Sequence, residues 1–125
     1  MLDHLSIGVS DLTTGASFYD PVLRALGYVR IFTTPRGVGY GPPGAQDEPF
    51  AIHASGAETR APGAGCHIAF QAPDRASVDA FHAAALRAGG ADEGAPGLRP
   101  HYGAGYYAAF VRDPDGYRIE AVCHL

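Results

Sequence analysis

The 125-residue sequence contains no lysine, no asparagine and no tryptophan, and all nine of its basic residues are arginine. Without lysine, neither Schiff-base chemistry nor a Walker phosphate-binding loop is available, because both use a lysine amine. Only two cysteines are present, Cys66 and Cys123, and they form no CxxC pair. This cysteine usage is typical of a reducing compartment, so we expect a cytoplasmic protein.

Basic clusters and long apolar runs are lacking as well. The arginines are scattered along a chain of formal net charge −4, so we expect neither nucleic acid nor a membrane surface as a partner. No apolar stretch approaches the roughly 20 residues of a membrane span. The N-terminus has no basic region of the kind that opens a signal peptide. The length predicts a single domain, residues 1–125, with its own hydrophobic core.

What the chain does contain is one internal repeat. The segment DHLSIGVSD at 3–11 returns as CHIAFQAPD at 66–74, which aligns His4 with His67 and Asp11 with Asp74. The same offset aligns Phe18 with Phe81 and Gly27 with Gly90. Each half is therefore predicted to open with a strand that carries an early histidine. An aspartate cap and a helix ending at glycine follow.

The remaining pattern completes two modules of the order βαβββ. In the first half, Pro21 is expected to kink the helix or to make it restart after Asp20. The motif DPDG at 113–116 predicts a hairpin turn between the last two strands. The first half has predicted strands at 2–9, 28–34, 37–41 and 49–54, and the second at 66–72, 94–102, 106–112 and 117–122. The modules are 1–55 and 66–125, joined by a linker at 56–65 that is rich in Gly, Ala and Pro.

Four strand residues are candidate metal ligands. A second offset aligns Ile52 with Ile119, and therefore His53 with Glu120. If both sheets curl around one cavity, four side chains can converge there: His4, His53, His67 and Glu120. Imidazole nitrogens and a carboxylate suit a divalent metal such as Zn, Ni, Fe, Mn or Co. Without His53, the set consists of two histidines and one carboxylate, which would leave open coordination positions on the metal.

Less specific interpretations of these residues remain open. A single histidine in a strand is more often a hydrogen-bonded or exposed residue than a ligand. Glu120 could face solvent by simple alternation, although a buried and unpaired carboxylate would be costly. Ala51 would replace His53 as the inward residue if the register slips by two.

Several further side chains are predicted to contact a small organic ligand. Tyr106 and Tyr107 are neighbours in a strand, so at most one of them faces the cavity. Arg99 and His101 lie on a segment that can line it. The predicted substrate contacts are Tyr40, Arg99, His101, Tyr102 and Tyr107.

These residues resemble the vicinal oxygen chelate superfamily, which includes glyoxalase I, extradiol dioxygenases, and fosfomycin and bleomycin resistance proteins. The matching segments are DHLSIGVSDL at 3–12, FYDPVLRALGY at 18–28, GCHIAF at 65–70 and FVRDPDGYRIEAV at 110–122. The last segment is the most specific, and the resemblance covers essentially the whole chain. It implies an α+β fold in which tandem βαβββ modules form an open, curved mixed sheet around a central cavity.

The resemblance also implies a site and an activity. His4, His67 and Glu120 match the family's metal ligands, and His53 would stand where a fourth ligand is usually glutamate. We expect a divalent-metal-dependent, glyoxalase-like lyase or isomerase, acting on a small molecule chelated through vicinal oxygens, with Glu120 or His53 as the base. An iron-dependent extradiol dioxygenase and a metal-free, bleomycin-resistance-like binding protein are the alternatives. A homodimer is expected.

Overall fold

A computed structural model describes residues 1–124 and contains two four-stranded sheets, each with one helix. The first set of elements is β1 (Leu5–Val9), α1 (Leu12–Arg24), β2 (Val29–Thr34), β3 (Gly37–Gly41) and β4 (Phe50–Ala54). The second is β5 (Ile68–Gln71), α2 (Arg75–Arg87), β6 (Ala91–Leu98), β7 (Tyr106–Arg112) and β8 (Arg118–His124). A short 3₁₀ turn at Gly56–Glu58 follows β4. The predicted α+β arrangement of two βαβββ modules is confirmed.

The two sheets have the same topology. Their strand orders are β1-β4-β3-β2 and β5-β8-β7-β6. The first strand of each module pairs in parallel with the last, and the other neighbours are antiparallel. The predicted turn at 113–116 joins β7 to β8, and Gly116 occupies it with a positive φ of 96°. That backbone conformation favours glycine.

Both helices begin at the predicted aspartates. Asp11 accepts a hydrogen bond from the backbone N–H of Thr14, and Asp74 accepts one from Ser77, each at 2.8 Å. These bonds satisfy N–H groups that have no partner within the helix. The first helix continues through Pro21 and does not restart there. Its buried residues lie on one side and pack in the core, which outweighs the local cost of proline.

Replacing Pro21 with Ala is expected to raise the free energy of unfolding by about 1–2 kcal/mol. Proline in a helix interior costs about 3 kcal/mol relative to alanine, and the added freedom of the unfolded chain offsets part of this gain. Urea denaturation of the wild type and Pro21→Ala measures the difference. Pro73→Ala, which changes a proline outside the helices, is the control. If Pro21→Ala were less stable than the wild type, Pro21 would not carry the expected local cost in the helix.

One hydrophobic core joins the two modules. Helix α1 packs on the first sheet, α2 packs on the second, and the helices contact each other. Phe50 of β4 meets Phe70 of β5 edge to face, with ring centroids 5.0 Å apart. The helix-facing sides of both sheets share this core, so their helix-free faces point away from it. Neither helix of residues 1–124 is long and apolar enough to cross a membrane.

Candidate functional site

The helix-free face of the second sheet carries the main cluster of polar side chains. Alternation along β7 sends Tyr106 and Phe110 to this face and Tyr107 to the opposite one. Phe110 pairs with Glu120 of β8, which places Glu120 on the same face. The hydroxyl of Tyr107 donates to Asp79 on α2 at 2.7 Å, as expected for the helix-facing side.

Glu120 is fully buried, and its two carboxylate oxygens have different surroundings. Oε1 accepts a short hydrogen bond from the hydroxyl of Tyr106. Oε2 lies 3.0 Å from Nε2 of His67 but accepts no hydrogen bond, so the imidazole nitrogen is close without being aligned with it. A buried carboxylate oxygen without a donor is costly, and a bound cation would remove that cost.

The geometry of this pair fits two ligands of one metal ion. For ligands about 2.0–2.2 Å from a divalent ion, neighbouring ligand atoms lie roughly 2.8–3.1 Å apart at octahedral angles and roughly 3.3–3.6 Å apart at tetrahedral angles, so a separation near 3 Å suits octahedral neighbours best. The observed separation of Nε2 and Oε2 is 3.0 Å. The side chain of His67 is 51% exposed, so the site opens to solvent on that side. Within residues 1–124, no three His, Cys, Asp or Glu side chains are arranged to hold a metal. A complete site therefore needs ligands beyond His67 and Glu120.

The surroundings of Glu120 also act on Tyr106. Burial, together with the hydrogen bond to Glu120, raises the pKa of Tyr106 to about 12. The phenol therefore remains protonated at neutral pH and acts as a donor to the carboxylate. Tyr106 therefore belongs to the polar cluster around Glu120, whereas the sequence pattern had predicted Tyr107 as the substrate contact. Alternation had limited the choice to one of Tyr106 and Tyr107, and the contact with Asp79 identifies Tyr107 as the helix-facing member.

The repeat partner of His67 lies just before the first strand of the first sheet. His4 precedes β1 and its Nδ1 is 2.5 Å from the Asp3 carboxylate, with 58% of the imidazole side chain exposed. The hydrogen bond that the imidazole N–H donates to this carboxylate, together with the carboxylate's charge, raises the pKa of His4. His4 is thus accessible, and the structure does not bring it into one group with His67 and Glu120.

Strand pairing corrects the predicted alignment of His53 with Glu120. Glu120 pairs with Ala69, whose repeat counterpart is Ser6, and Ser6 pairs with Ala51. Ala51 therefore occupies in the first sheet the place that Glu120 occupies in the second. His53 lies two residues further along the same face, where it pairs with Gly8 and Gly37. The alignment of isoleucines used for the prediction was out of register by two, because loop lengths hide the strand register from the sequence.

The predicted substrate contacts divide between two regions. Arg99, His101 and Tyr102 are linked by ring contacts to Phe110 and Tyr106, which share the sheet face of Glu120. The Arg99 guanidinium stacks 5.5 Å from the Phe110 ring centre. The rings of His101 and Tyr102 are 4.1 Å apart, and Tyr102 is 5.2 Å from Tyr106. These three residues extend the Glu120 face toward solvent.

Tyr40 and Tyr107 lie on the helix-facing sides of their sheets. Tyr40 is almost fully buried, and its hydroxyl donates to Asp20 at 2.8 Å. It also lines an apolar cavity of about 290 Å³ at the seam between the sheets. The cavity walls include Phe50 and Phe70 but neither His67 nor Glu120, so this space is separate from the polar site.

The fold and the His–Glu site define a small α+β protein with paired βαβββ modules. The chain belongs to the Glyoxalase/Bleomycin resistance protein/Dioxygenase superfamily, whose family model matches residues 1–121. No curated protein matches the chain in sequence.

Solved structures support the same assignment. A glyoxalase/bleomycin resistance protein from Albidiferax ferrireducens T118 is 34% identical, with 95% of this chain and 94% of that chain covered and a TM-score of 0.79. A glyoxalase-related enzyme from Fulvimarina pelagi is 23% identical, covering 98% and 86% of the two chains, with a TM-score of 0.72. A lactoylglutathione lyase from Agrobacterium tumefaciens is 20% identical, with 95% and 90% covered and a TM-score of 0.62. At these identities the last two show the fold alone.

Proposed function

We propose that this protein is a divalent-metal-dependent, glyoxalase-like lyase or isomerase acting on a small molecule chelated through vicinal oxygens. The observation that carries the proposal is Oε2 of Glu120, which is buried, accepts no hydrogen bond and lies 3.0 Å from Nε2 of His67. A carboxylate oxygen and an imidazole nitrogen in this arrangement suit Zn, Ni, Fe, Mn or Co.

His4 is proposed as the third ligand, supplied by a second copy of the chain. His4 immediately precedes β1 and lies outside the core, and the helix-free face that carries Glu120 points away from the common core of one chain. In a two-fold dimer, the surface around His4 in one copy would pack against the Glu120 face of the other copy. The symmetry would form two such sites. The half-exposed His67 leaves the required opening.

The chain's residues have separate tasks in this mechanism. When bound, the metal would supply Lewis acidity to the substrate oxygens. Glu120 would dissociate from the metal when the substrate binds, and its freed Oε2 would accept the proton from the carbon beside the carbonyl and return it to the neighbouring carbon. Tyr106 holds the other oxygen of Glu120. Arg99, His101 and Tyr102 would orient the substrate at the solvent side.

Metal loading followed by a substrate panel tests the proposal. The protein is loaded separately with each of the five metals and assayed for isomerisation of thiol adducts of 2-oxoaldehydes and for ring cleavage of catechols. Metal-dependent isomerisation that is lost in His67→Ala is the expected result. Ring cleavage with iron alone would favour the dioxygenase alternative instead.

A metal-free binding protein is the second candidate, and Ala51 is the observation that favours it. This residue stands where the first module would carry a second carboxylate equivalent to Glu120. A chain with fewer ligands could use the same face to bind an organic molecule without metal. Ligand binding that is unchanged by a chelator would support this candidate.

A further inference from the structure

The carboxylate of Glu120 is held in one orientation by a single side chain. The Tyr106 hydroxyl donates to Oε1, while Oε2 is left without a donor beside His67. Tyr106 is the first residue of β7 and pairs with His124, whereas Glu120 pairs with Phe110 further along β7, so the phenol reaches along the sheet face to the carboxylate. This contact leaves Oε2, rather than Oε1, available to a bound metal ion.

We propose that Tyr106 is a positioning residue that makes Glu120 a one-oxygen ligand, with Oε2 toward the metal and Oε1 retained by the phenol. This inference rests on the proposed metal site. A carboxylate can bind a cation through one or both oxygens, and a hydrogen bond to one oxygen removes it from competition. Groups that orient a metal ligand in this way typically contribute 10–100-fold to affinity.

The aromatic neighbours of Tyr106 support a fixed position for its ring. Tyr102 lies 5.2 Å away, and the ring of His124 lies 5.2 Å away at 87°. Because the ring is packed from two sides, removing the hydroxyl in Tyr106→Phe leaves the ring in place and deletes only the donor. Tyr28→Phe is a matched control, since the Tyr28 hydroxyl donates to the Gln71 carbonyl at 2.8 Å, away from Glu120.

The experiment compares Co²⁺ binding by wild type, Tyr106→Phe and Tyr28→Phe, using competition with a chelating dye and visible absorption. We expect Tyr106→Phe to bind Co²⁺ about 10–100-fold more weakly. Its Co²⁺ absorption should also fall in intensity, because two-oxygen binding raises the coordination number. Tyr28→Phe should match the wild type in both measurements.

Three results would overturn the inference, and they can be told apart. Equal affinity and equal spectra in wild type and Tyr106→Phe would refute the role of Tyr106 and leave the metal site standing. No Co²⁺ binding by folded wild type would refute the metal site and the inference with it. A crystal structure of the Co²⁺-loaded wild type needs no variant. Both oxygens of Glu120 on the ion would also refute the inference, whereas Oε2 alone would support it.

Discussion

Replacing Asp113 with Ala is expected to lower the free energy of unfolding by about 3–5 kcal/mol, a large share of the stability of a small domain. Asp113 lies in the turn between β7 and β8 and is only 5% exposed. Its carboxylate accepts hydrogen bonds from the Tyr19 hydroxyl at 2.6 Å and from the backbone of Asp115 and Tyr117 at 2.9 Å. Tyr19 belongs to α1, so this carboxylate also joins the two modules.

Two variants separate this effect from a general weakening of the turn. Asp115→Ala removes one hydrogen bond, from the Ser10 backbone, and should cost only about 1 kcal/mol. Asp113→Asn retains an acceptor for the backbone N–H groups. Its loss of unfolding free energy should therefore lie between those of Asp113→Ala and Asp115→Ala. Urea denaturation at one pH measures all three. An Asp113→Ala protein as stable as Asp115→Ala would contradict the assigned role.

The buried carboxyl group of Asp113 should also make the stability of the protein depend on pH. Burial raises the pKa of Asp113 above its ordinary value of 3.8, with the hydrogen bonds opposing the change. The folded state therefore holds this proton more tightly than the unfolded state. Its contribution to stability is fully present below pH 3.8 and is lost as the pH rises through the raised pKa. The stability of the wild type relative to Asp113→Asn should accordingly decrease over this range. A relative increase would contradict the assigned direction.

Replacing Glu120 with Gln should weaken metal binding more than about 100-fold, because even groups that only orient a ligand contribute 10–100-fold. The same change should stabilise the metal-free protein by about 1 kcal/mol. Glutamine can still accept from Tyr106 at one position and can donate to His67 at the other. It thereby removes the buried oxygen that has no donor.

Glu93→Gln is the matched control for this substitution. Glu93 carries the same charge and pairs with Arg112 at 2.5 Å on the same sheet, outside the His67 pair. Metal affinity should be unchanged in this variant. If Glu120→Gln bound metal as tightly as Glu93→Gln, Glu120 would not be a ligand. If it destabilised the metal-free protein, the unsatisfied oxygen would not carry the predicted cost.

The sequence predicts the modules well because their signals are local. Asp11 and Asp74 are helix caps, and the DPDG turn has the glycine that its positive φ requires. The repeat predicts that His4, His53, His67 and Glu120 converge if both sheets curl around one cavity, and of these four the structure pairs His67 with Glu120. The register of β4 could not be predicted, because it depends on how β1 and β4 pair across intervening loops. A two-residue error there exchanges Ala51 for His53 on the same face.

Tyr106 was missed for a related reason. Alternation shows that Tyr106 and Tyr107 face opposite sides, but the absolute direction depends on which side the helix covers. The contact between Tyr107 and Asp79 supplies that information. Knowing that Tyr107 faces the helix thus identifies Tyr106 as the residue on the helix-free face beside Glu120.

The proposed metal site is best tested by metal analysis of the wild type and His67→Ala, both purified without chelators. His67 is half-exposed, so its replacement should leave the fold intact while removing one of the two paired ligands. We expect about one metal ion per chain in the wild type and loss of that ion in His67→Ala. A folded wild type that carries no metal, and takes up none of Zn, Ni, Fe, Mn or Co when they are supplied, would contradict it.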